Sequence, residues 1–147
     1  MSLTKFLFTF FVFCFSCNVY AYDGAVVKYC AMLRDDEAVI YKLQWTIDTR
    51  VKLMNVIKNK SKVQSQKEID KVQKMIDDAY DAEVEKAWKI DAELNKDPNW
   101  KFHNAAADHA LLTRSAMINV LNDGGTLIHA RDAIYYDCLS KIVPNPK

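Results

Sequence analysis

Apolar residues recur at spacings of three and four along most of this chain, which is the period of an amphipathic α-helix. The clearest apolar stripe covers about five turns and consists of Ile40, Leu43, Ile47, Val51, Met54 and Ile57. No run shows sustained alternation with β-branched enrichment, and only three Gly and three Pro punctuate the sequence. The pattern predicts an all-α fold.

Residues that favour helix N-termini divide this pattern into one short and four longer segments. The predicted caps are Asp23, Asp35 or Asp36, Ser65 in a capping box with Glu68, Asp97 ahead of Pro98, and Thr126. Gly124 is predicted to end the fourth helix in a left-handed conformation.

The same periodicity predicts which side chains face inward. In the first segment they are Val26, Val27, Cys30 and Leu33. In the third they are Ile69, Val72, Ile76, Tyr80, Val84, Ala87, Trp88 and Leu94. In the fourth they are Trp100, Ala107, Ala110, Leu111, Met117, Ile118 and Leu121. In the last they are Leu127, Ile128, Ile134, Tyr135, Cys138 and Ile142.

The N-terminal residues have the features of an export signal. Lys5 precedes an apolar run from Phe6 to Phe15, and Val19 and Ala21 suit positions −3 and −1 of a signal-peptidase site. We therefore predict a cleaved signal peptide over residues 1–21 and one helical domain over residues 22–147, in the periplasm or secreted. The alternative of a lipoprotein acylated at Cys17 is less favoured, because Cys14 stands where an aliphatic residue is expected.

Signal removal leaves two cysteines, Cys30 and Cys138, in an oxidising compartment. We predict that they form a disulfide, which the chain-entropy model values at roughly 4 to 5 kcal/mol for a loop of about 100 residues. Redox chemistry is less favoured, because no Cys-x-x-Cys pair occurs.

Helix lengths constrain how this disulfide forms. A straight helix from Cys30 to Lys60 would rise roughly 45 Å, whereas Leu127 to Cys138 covers only about 17 Å. The bond requires Cα atoms within about 7 Å. We therefore predict a break at residues 34–36, a separate short first helix folded against the last one, and an antiparallel four-helix bundle. The helical hairpin of residues 37–96 is then expected to project past the rest.

Charge narrows the classes of partner. Removing Lys5 leaves nineteen basic and nineteen acidic residues. A net charge of zero gives no attraction to nucleic acid or to an anionic membrane. We expect neither nucleic-acid binding nor membrane insertion of the processed chain, and the sequence does not indicate an oligomeric state.

No catalytic or metal-binding constellation emerges from the sequence. His103, Asp108, His109 and His129 form the only imidazole-centred set, and His103 and His109 are six residues apart, about 240° around a helix. His129 and Asp132 share a helical face but make an incomplete site. We predict no metal, no cofactor and no enzymatic activity; a b-type haem held by one Met and one His is left open.

Partner binding is the remaining class of function, and three aromatic or imidazole side chains near the C-terminus suggest where it occurs. Tyr135 and Tyr136 are adjacent, so their side chains point about 100° apart and one is expected nearer solvent, close to His129. Lys67 and Lys71 lie at the N-terminal end of the third helix, against its dipole, and belong either to a solvated face or to a charge-coded docking surface. Other large aromatics, Tyr41, Trp45, Tyr80, Trp88 and Trp100, are expected to serve mostly as core.

The last third of the chain resembles a known family. Ala110 to Arg114, the junction Gly124-Gly125-Thr126 and the segment Asp137-Cys138-Leu139 are similar to the tail of the LprI-like periplasmic lysozyme-inhibitor family. The resemblance covers about 35 residues, and it implies a helical envelope protein that binds and blocks an enzyme attacking the cell wall.

These observations predict a secreted or periplasmic, non-enzymatic protein that binds another protein. An inhibitor or immunity factor against a cell-wall-degrading or toxic enzyme is the expected role. The alternative is a carrier that holds a ligand, a metal or haem in the bundle interior.

Overall fold

A computed structural model describes residues 23–142 and contains five helices. They are α1 (Gly24–Arg34), α2 (Glu37–Ile57), α3 (Lys62–Leu94), α4 (Ala105–Asp123) and α5 (Leu127–Lys141). Residues 23–142 contain no strand, so the predicted all-α fold is confirmed. The predicted signal peptide, Cys17 and the tail from residue 143 onward lie outside the described residues.

Three predicted helix starts are confirmed by side-chain caps. Asp23 accepts a hydrogen bond from the Ala25 backbone, and Asp36 accepts one from the Ala38 backbone. Thr126 caps α5 through the backbone N–H of His129. Gly124 also ends α4 as predicted with a positive φ of 81°, although its ψ of −157° lies outside the left-handed helical region.

The predicted start of α3 is wrong by one turn. The capping box is Ser61 with Gln64, in which each side chain accepts from the other residue's backbone N–H, and α3 begins at Lys62. Ser61 and Ser65 both satisfy the sequence rule for a capping box. The structure uses the earlier site because Glu68 is taken by an ion pair with Lys60 across the α2 to α3 turn.

The predicted start of α4 at Asp97 and Pro98 is also wrong. Residues 95–104 form a loop, in which the Asp97 side chain accepts from the Asn99 backbone. Phe102 is buried and stacks on Tyr29 of α1 with ring centroids 4.5 Å apart. Trp100 meets Phe102 edge to face at 5.5 Å. Burial of aromatic area in this cluster outweighs the local helix signal.

α4 begins without a cap of its own. Asn104 lies in the left-handed region at φ 51° and its side chain makes no capping hydrogen bond. Asp91 of α3 supplies the cap, because its carboxylate accepts from the backbone N–H groups of Ala106 and Ala107 at 2.8 and 2.9 Å. Asp91 is only 2% exposed, so its charge is balanced by these donors and the positive end of the α4 dipole.

The helices pack in an antiparallel bundle around α4, which contacts α2, α3 and α5. One core cluster joins these four helices and includes Val39, Leu43, Ile76, Met117, Val120 and Ile134. A second core cluster joins α1, the 95–104 loop, α4 and α5 around the disulfide, and it includes Val26, Leu33, Phe102, Leu112 and Ile142. The predicted four-helix bundle with an extra short N-terminal helix is confirmed.

Cys30 and Cys138 form the predicted disulfide, with an S–S distance of 2.03 Å, a Cα–Cα distance of 5.6 Å and both residues fully buried. The predicted break at residues 34–36 is present between α1 and α2. Arg131 of α5 fixes it, because the guanidinium donates to the Arg34 carbonyl and pairs with Asp35. α1 therefore packs along α5, as the length argument requires.

The far end of the α2 and α3 hairpin extends beyond α4. Arg50 Nε donates to the Leu121 carbonyl at 3.1 Å, which places Arg50 level with the end of α4. The ion pair of Lys42 with Glu83 links the two helices of the hairpin, and Lys60 of the turn between them pairs with Glu68 of α3. Residues past Arg50 therefore project, as predicted for the hairpin.

Five residues predicted to face inward are exposed: Val51, Met54, Trp88, Leu111 and Ile128. Val51 and Met54 lie on the projecting end of α2, where α4 no longer covers them. On α5 the buried face is Ala130, Ile134 and Cys138, which leaves Ile128 67% exposed. Trp88 is 55% exposed, because α3 buries Ala87 and Asp91 instead.

We expect removal of the disulfide to lower the free energy of unfolding. The double variant Cys30→Ser, Cys138→Ser should lose about 2 to 5 kcal/mol in urea denaturation, because the unfolded chain regains the freedom that a 108-residue separation otherwise denies it. Wild-type protein treated with reductant serves as the control and should unfold at the same urea concentration as the double variant. Equal stability of oxidised wild type and double variant would contradict this account.

We expect the Asp91 cap to contribute more to the free energy of unfolding than a nearby exposed acidic residue does. Asp91→Ala leaves two N–H groups at the start of α4 without their acceptor and should cost about 2 to 3 kcal/mol in urea denaturation. Glu93→Ala, an exposed position two residues away, is the matched control and should cost about 0.5 kcal/mol or less. Similar losses of stability in both variants would show that the cap hydrogen bonds of Asp91 do not stabilise the fold more than an exposed carboxylate does.

Candidate functional site

Three neighbouring cavities follow α4. The first two lie between α2 and α3 and form what is called here the α4 groove, whereas the third adjoins the second but lies between α1 and α3 at the start of α4. The volumes of the three cavities are about 330, 260 and 530 Å³. Lys42, Glu83, Ala110 and Thr113 line both the first and the second cavity. Ile90, Ala106 and His109 line both the second and the third. The groove exists because α2 and α3 both pack on α4 but make few contacts with each other.

The first of these, the aromatic cavity, is lined mainly by apolar side chains. Tyr41 and Trp45 of α2 face Met75 and Tyr80 of α3, and Met117 of α4 contributes from the remaining side. Tyr41 is 73% exposed and Met75 is 50% exposed. Large side chains that remain this accessible beside an apolar cavity are typical of binding sites for proteins or small molecules.

Two ion pairs flank the mouth of the aromatic cavity. Lys42 Nζ lies 2.8 Å from both carboxylate oxygens of Glu83, and Arg114 pairs with Asp77. The Arg114 guanidinium also lies over the Tyr80 ring, 5.5 Å from its centroid. In both pairs the anion belongs to α3 and the cation to α2 or α4. These pairs are partly solvated, so each stabilises the fold by only about 0 to 1 kcal/mol and can exchange for other partners at little cost.

His109 lies at the junction of the second and third cavities. Its Nε2 is buried and has no hydrogen-bond partner among the described residues, since the nearest Asp36 carboxylate oxygen is 3.9 Å away. Burial lowers the pKa of His109 below its ordinary value, and the Asp36 carboxylate opposes that shift only in part. His109 is therefore neutral near pH 7.

The sequence-predicted binding residues lie elsewhere. His129 and Tyr136 are exposed on α5, two helical turns apart. Tyr135 is half-buried, with its ring 5.4 Å from that of Tyr136 and under the Arg34 guanidinium. One tyrosine of the pair is therefore nearer solvent, as expected. Lys67 and Lys71 are exposed on α3, near its junction with α2.

None of these five residues lines the α4 groove. The structure brings Tyr135 and Tyr136 together and places His129 on the same helix. Lys67 and Lys71 lie on another helix, so the predicted residues do not form one compact site.

The other residues that the sequence analysis considered for acid-base or metal chemistry do not lie together. His103 is exposed in the loop before α4, whereas Asp108 lies in the first turn of that helix. Burial and the Asp91 charge raise the pKa of the Asp108 carboxyl. Tyr29 donates a buried hydrogen bond to the Ala105 carbonyl, and burial raises its pKa. Among residues 23–142 no group of three or more His, Cys, Asp or Glu side chains is placed to hold a metal ion.

Within that same stretch, no helix has the length and apolar character needed to cross a membrane. Comparisons with known protein families, with curated protein sequences and with solved structures found no match to this chain. The LprI-like resemblance is therefore still a prediction.

Sequence reasoning missed the α4 groove because it assigned most large aromatics to the core. Tyr41 and Trp45 are four residues apart and border the apolar stripe that contains Leu43. That spacing places both rings on one helical face beside the buried one. The signal was therefore present in α2, but the gap between α2 and α3 that exposes Tyr41 and leaves Trp45 half-buried depends on tertiary packing.

We expect His109 to make stability depend on pH. Because its folded pKa lies below the unfolded value of 6.5, the unfolded state binds more protons, and the free energy of unfolding falls as pH drops through and below about 6.5. Urea midpoints at pH 7.5 and 5.5 should show a smaller loss for His109→Gln than for wild type. His129→Gln, which removes an exposed histidine, should lose as much as wild type. Identical losses of stability for both variants would contradict the assignment of this pH dependence to His109.

Proposed function

We propose that this chain is an exported, non-enzymatic protein that binds another protein, as an inhibitor or immunity factor against a cell-wall-degrading or toxic enzyme. The α4 groove carries the proposal, because it combines an apolar interior with the exposed aromatic ring of Tyr41 at its edge. Buried aromatic and Arg anchors surrounded by charged rims dominate the energetics of protein interfaces.

Export is supported by two observations. The N-terminal residues read as a signal peptide, and the Cys30 to Cys138 disulfide suits an oxidising compartment. The proposed periplasmic or secreted location follows from both together. The resemblance of the last third to the LprI-like family supports a cell-wall enzyme as the target.

A second candidate function is favoured by one observation. The aromatic cavity has a volume of about 330 Å³, which lies within the range of small-molecule sites. A carrier of a small apolar ligand would use this cavity. Native mass spectrometry of protein purified from its own compartment separates the two candidates, since a bound ligand adds a discrete mass and a protein partner adds a whole chain.

We expect Tyr41→Ala to weaken partner binding while leaving the fold intact. The partner is first captured from envelope or secreted fractions with the processed chain, residues 22–147, and then purified. Calorimetry should show an affinity for Tyr41→Ala that is roughly tenfold or more below wild type, because an exposed aromatic at the groove edge acts as an anchor.

Tyr136→Ala is the matched control, since Tyr136 is 66% exposed on α5 and lies outside the groove. It should bind like wild type. Loss of affinity only in Tyr136→Ala would move the binding site to α5. The absence of any purified protein that binds the wild type, together with a bound small molecule, would overturn the proposal in favour of the carrier.

A further inference from the structure

We infer that the α4 groove accepts a single amphipathic helix of the partner protein, with one large apolar side chain seated in the aromatic cavity. This inference rests on the proposed function and specifies the part of the partner that binds. The length, the lining and the charges of the groove all favour a helix.

The length of the groove matches a short helix. Its two cavities follow α4 from Met117 to Ala106, eleven residues or about 16 Å of rise. A helix of three to four turns spans that distance. A small molecule that fills one cavity leaves the other empty, so the continuity of the two favours an elongated occupant.

The lining favours a helix over an extended peptide. The floor of the groove consists of α4 side chains such as Ala106, Ala110 and Thr113, and no sheet edge is present within residues 23–142. An extended segment would bring its backbone N–H and C=O groups into an apolar channel without partners. A helix satisfies those groups internally and presents only side chains.

A helix in the groove would also complete a four-helix packing arrangement with α2, α3 and α4. α2, α3 and α4 already form three sides of the groove, so a helix lying in it contacts all three, as the fourth helix of a bundle does. The Lys42 to Glu83 ion pair crosses the groove between the first and second cavities. Both side chains are partly solvated, so they can swing aside and pair with the incoming helix.

The charges at the mouth of the aromatic cavity fix the orientation of the occupant. Asp77 and Glu83 stand on the α3 side, Lys42 stands opposite on α2, and Arg114 belongs to α4 at the floor. A complementary helix carries basic residues along the edge that faces α3 and acidic residues along the other edge. Farther along the groove, Lys86 lines the second cavity on the α3 side without an ion pair among the described residues. An acidic residue of the partner suits that position, which sets the direction of the helix.

A second copy of this chain is a poorer occupant. The projecting end of the hairpin exposes Val51 and Val56 of α2 and Val63 of α3. Residues 51–63 contain four Lys and no Asp or Glu, so this end offers no anion to the edge that carries Lys42 and brings further cations to it. Like charges placed opposite each other disfavour that pairing.

Site-specific photo-cross-linking in the native compartment tests the inference. Full-length chains carrying p-benzoylphenylalanine at position 41, in the groove, or at position 136 or 67, outside it, are expressed and irradiated. Mass spectrometry then identifies the cross-linked peptide. We expect position 41 to capture a partner segment of at least about twelve residues with apolar residues at spacings of three and four, and positions 136 and 67 to capture none.

The other outcomes of the cross-linking experiment distinguish failure of the inference from failure of the proposed function. A partner captured only from position 136 or 67 overturns the inference and leaves the proposed function standing. Capture of a second copy, or of a segment that lacks helical periodicity, from position 41 also overturns the inference. No protein captured from any of the three positions overturns both.

A charge exchange tests the orientation separately. The double variant Lys42→Glu, Glu83→Lys keeps the ion pair but reverses the polarity of the groove mouth. It should bind the purified partner roughly tenfold or more weakly by calorimetry, with an unchanged helical circular dichroism spectrum. The matched control, Lys60→Glu with Glu68→Lys, exchanges a pair on the projecting end of the hairpin and should bind like wild type. Unchanged affinity in the first variant would overturn the proposed polarity.

Discussion

The N-terminus of α4 is the point on which the rest of this structure depends. α4 is the central helix, and the residue that precedes it makes no side-chain cap. Asp91, buried on α3, provides the missing acceptor for two backbone donors. The arrangement fixes α3 and α4 relative to each other, because the carboxylate would otherwise be buried without compensation.

Two other helix ends are also completed by charged side chains from a different helix. Arg50 of α2 donates to the Leu121 carbonyl near the C-terminus of α4. Arg131 of α5 donates to the Arg34 carbonyl at the C-terminus of α1. Unpaired carbonyls at a helix C-terminus carry partial negative charge, which suits a guanidinium. Specific polar contacts at the helix ends thus set the relative positions of the helices, in addition to apolar packing. Because these contacts hold the helices in place, the space between α2 and α3 can stay open.

Several parts of the fold could be predicted from the sequence because they depend on local chemistry or on simple distances. The caps at Asp23, Asp36 and Thr126 are of this kind, and so is the break at residues 34–36, which helix length and the disulfide together require. The start of α3 was wrong because Ser61 and Ser65 offer equivalent local signals, and only the ion pair of Glu68 with Lys60 distinguishes them. The start of α4 was wrong because Phe102 packs on Tyr29, a contact 73 residues distant in sequence, which no local signal contains. The α4 groove was missed for the same reason, since the exposure of Tyr41 depends on the separation of two helices.

The position of the disulfide has a mechanical consequence. Cys30 and Cys138 lie near the two ends of the described chain and are joined covalently within a Cα–Cα distance of 5.6 Å. A tensile force applied at Asp23 and Ile142 would therefore pass through the first turns of α1, the sulfur bridge and the last turn of α5. The helices α2, α3 and α4 lie outside that load path. Tension between the two ends would therefore leave the groove undisturbed for as long as the bridge stayed oxidised.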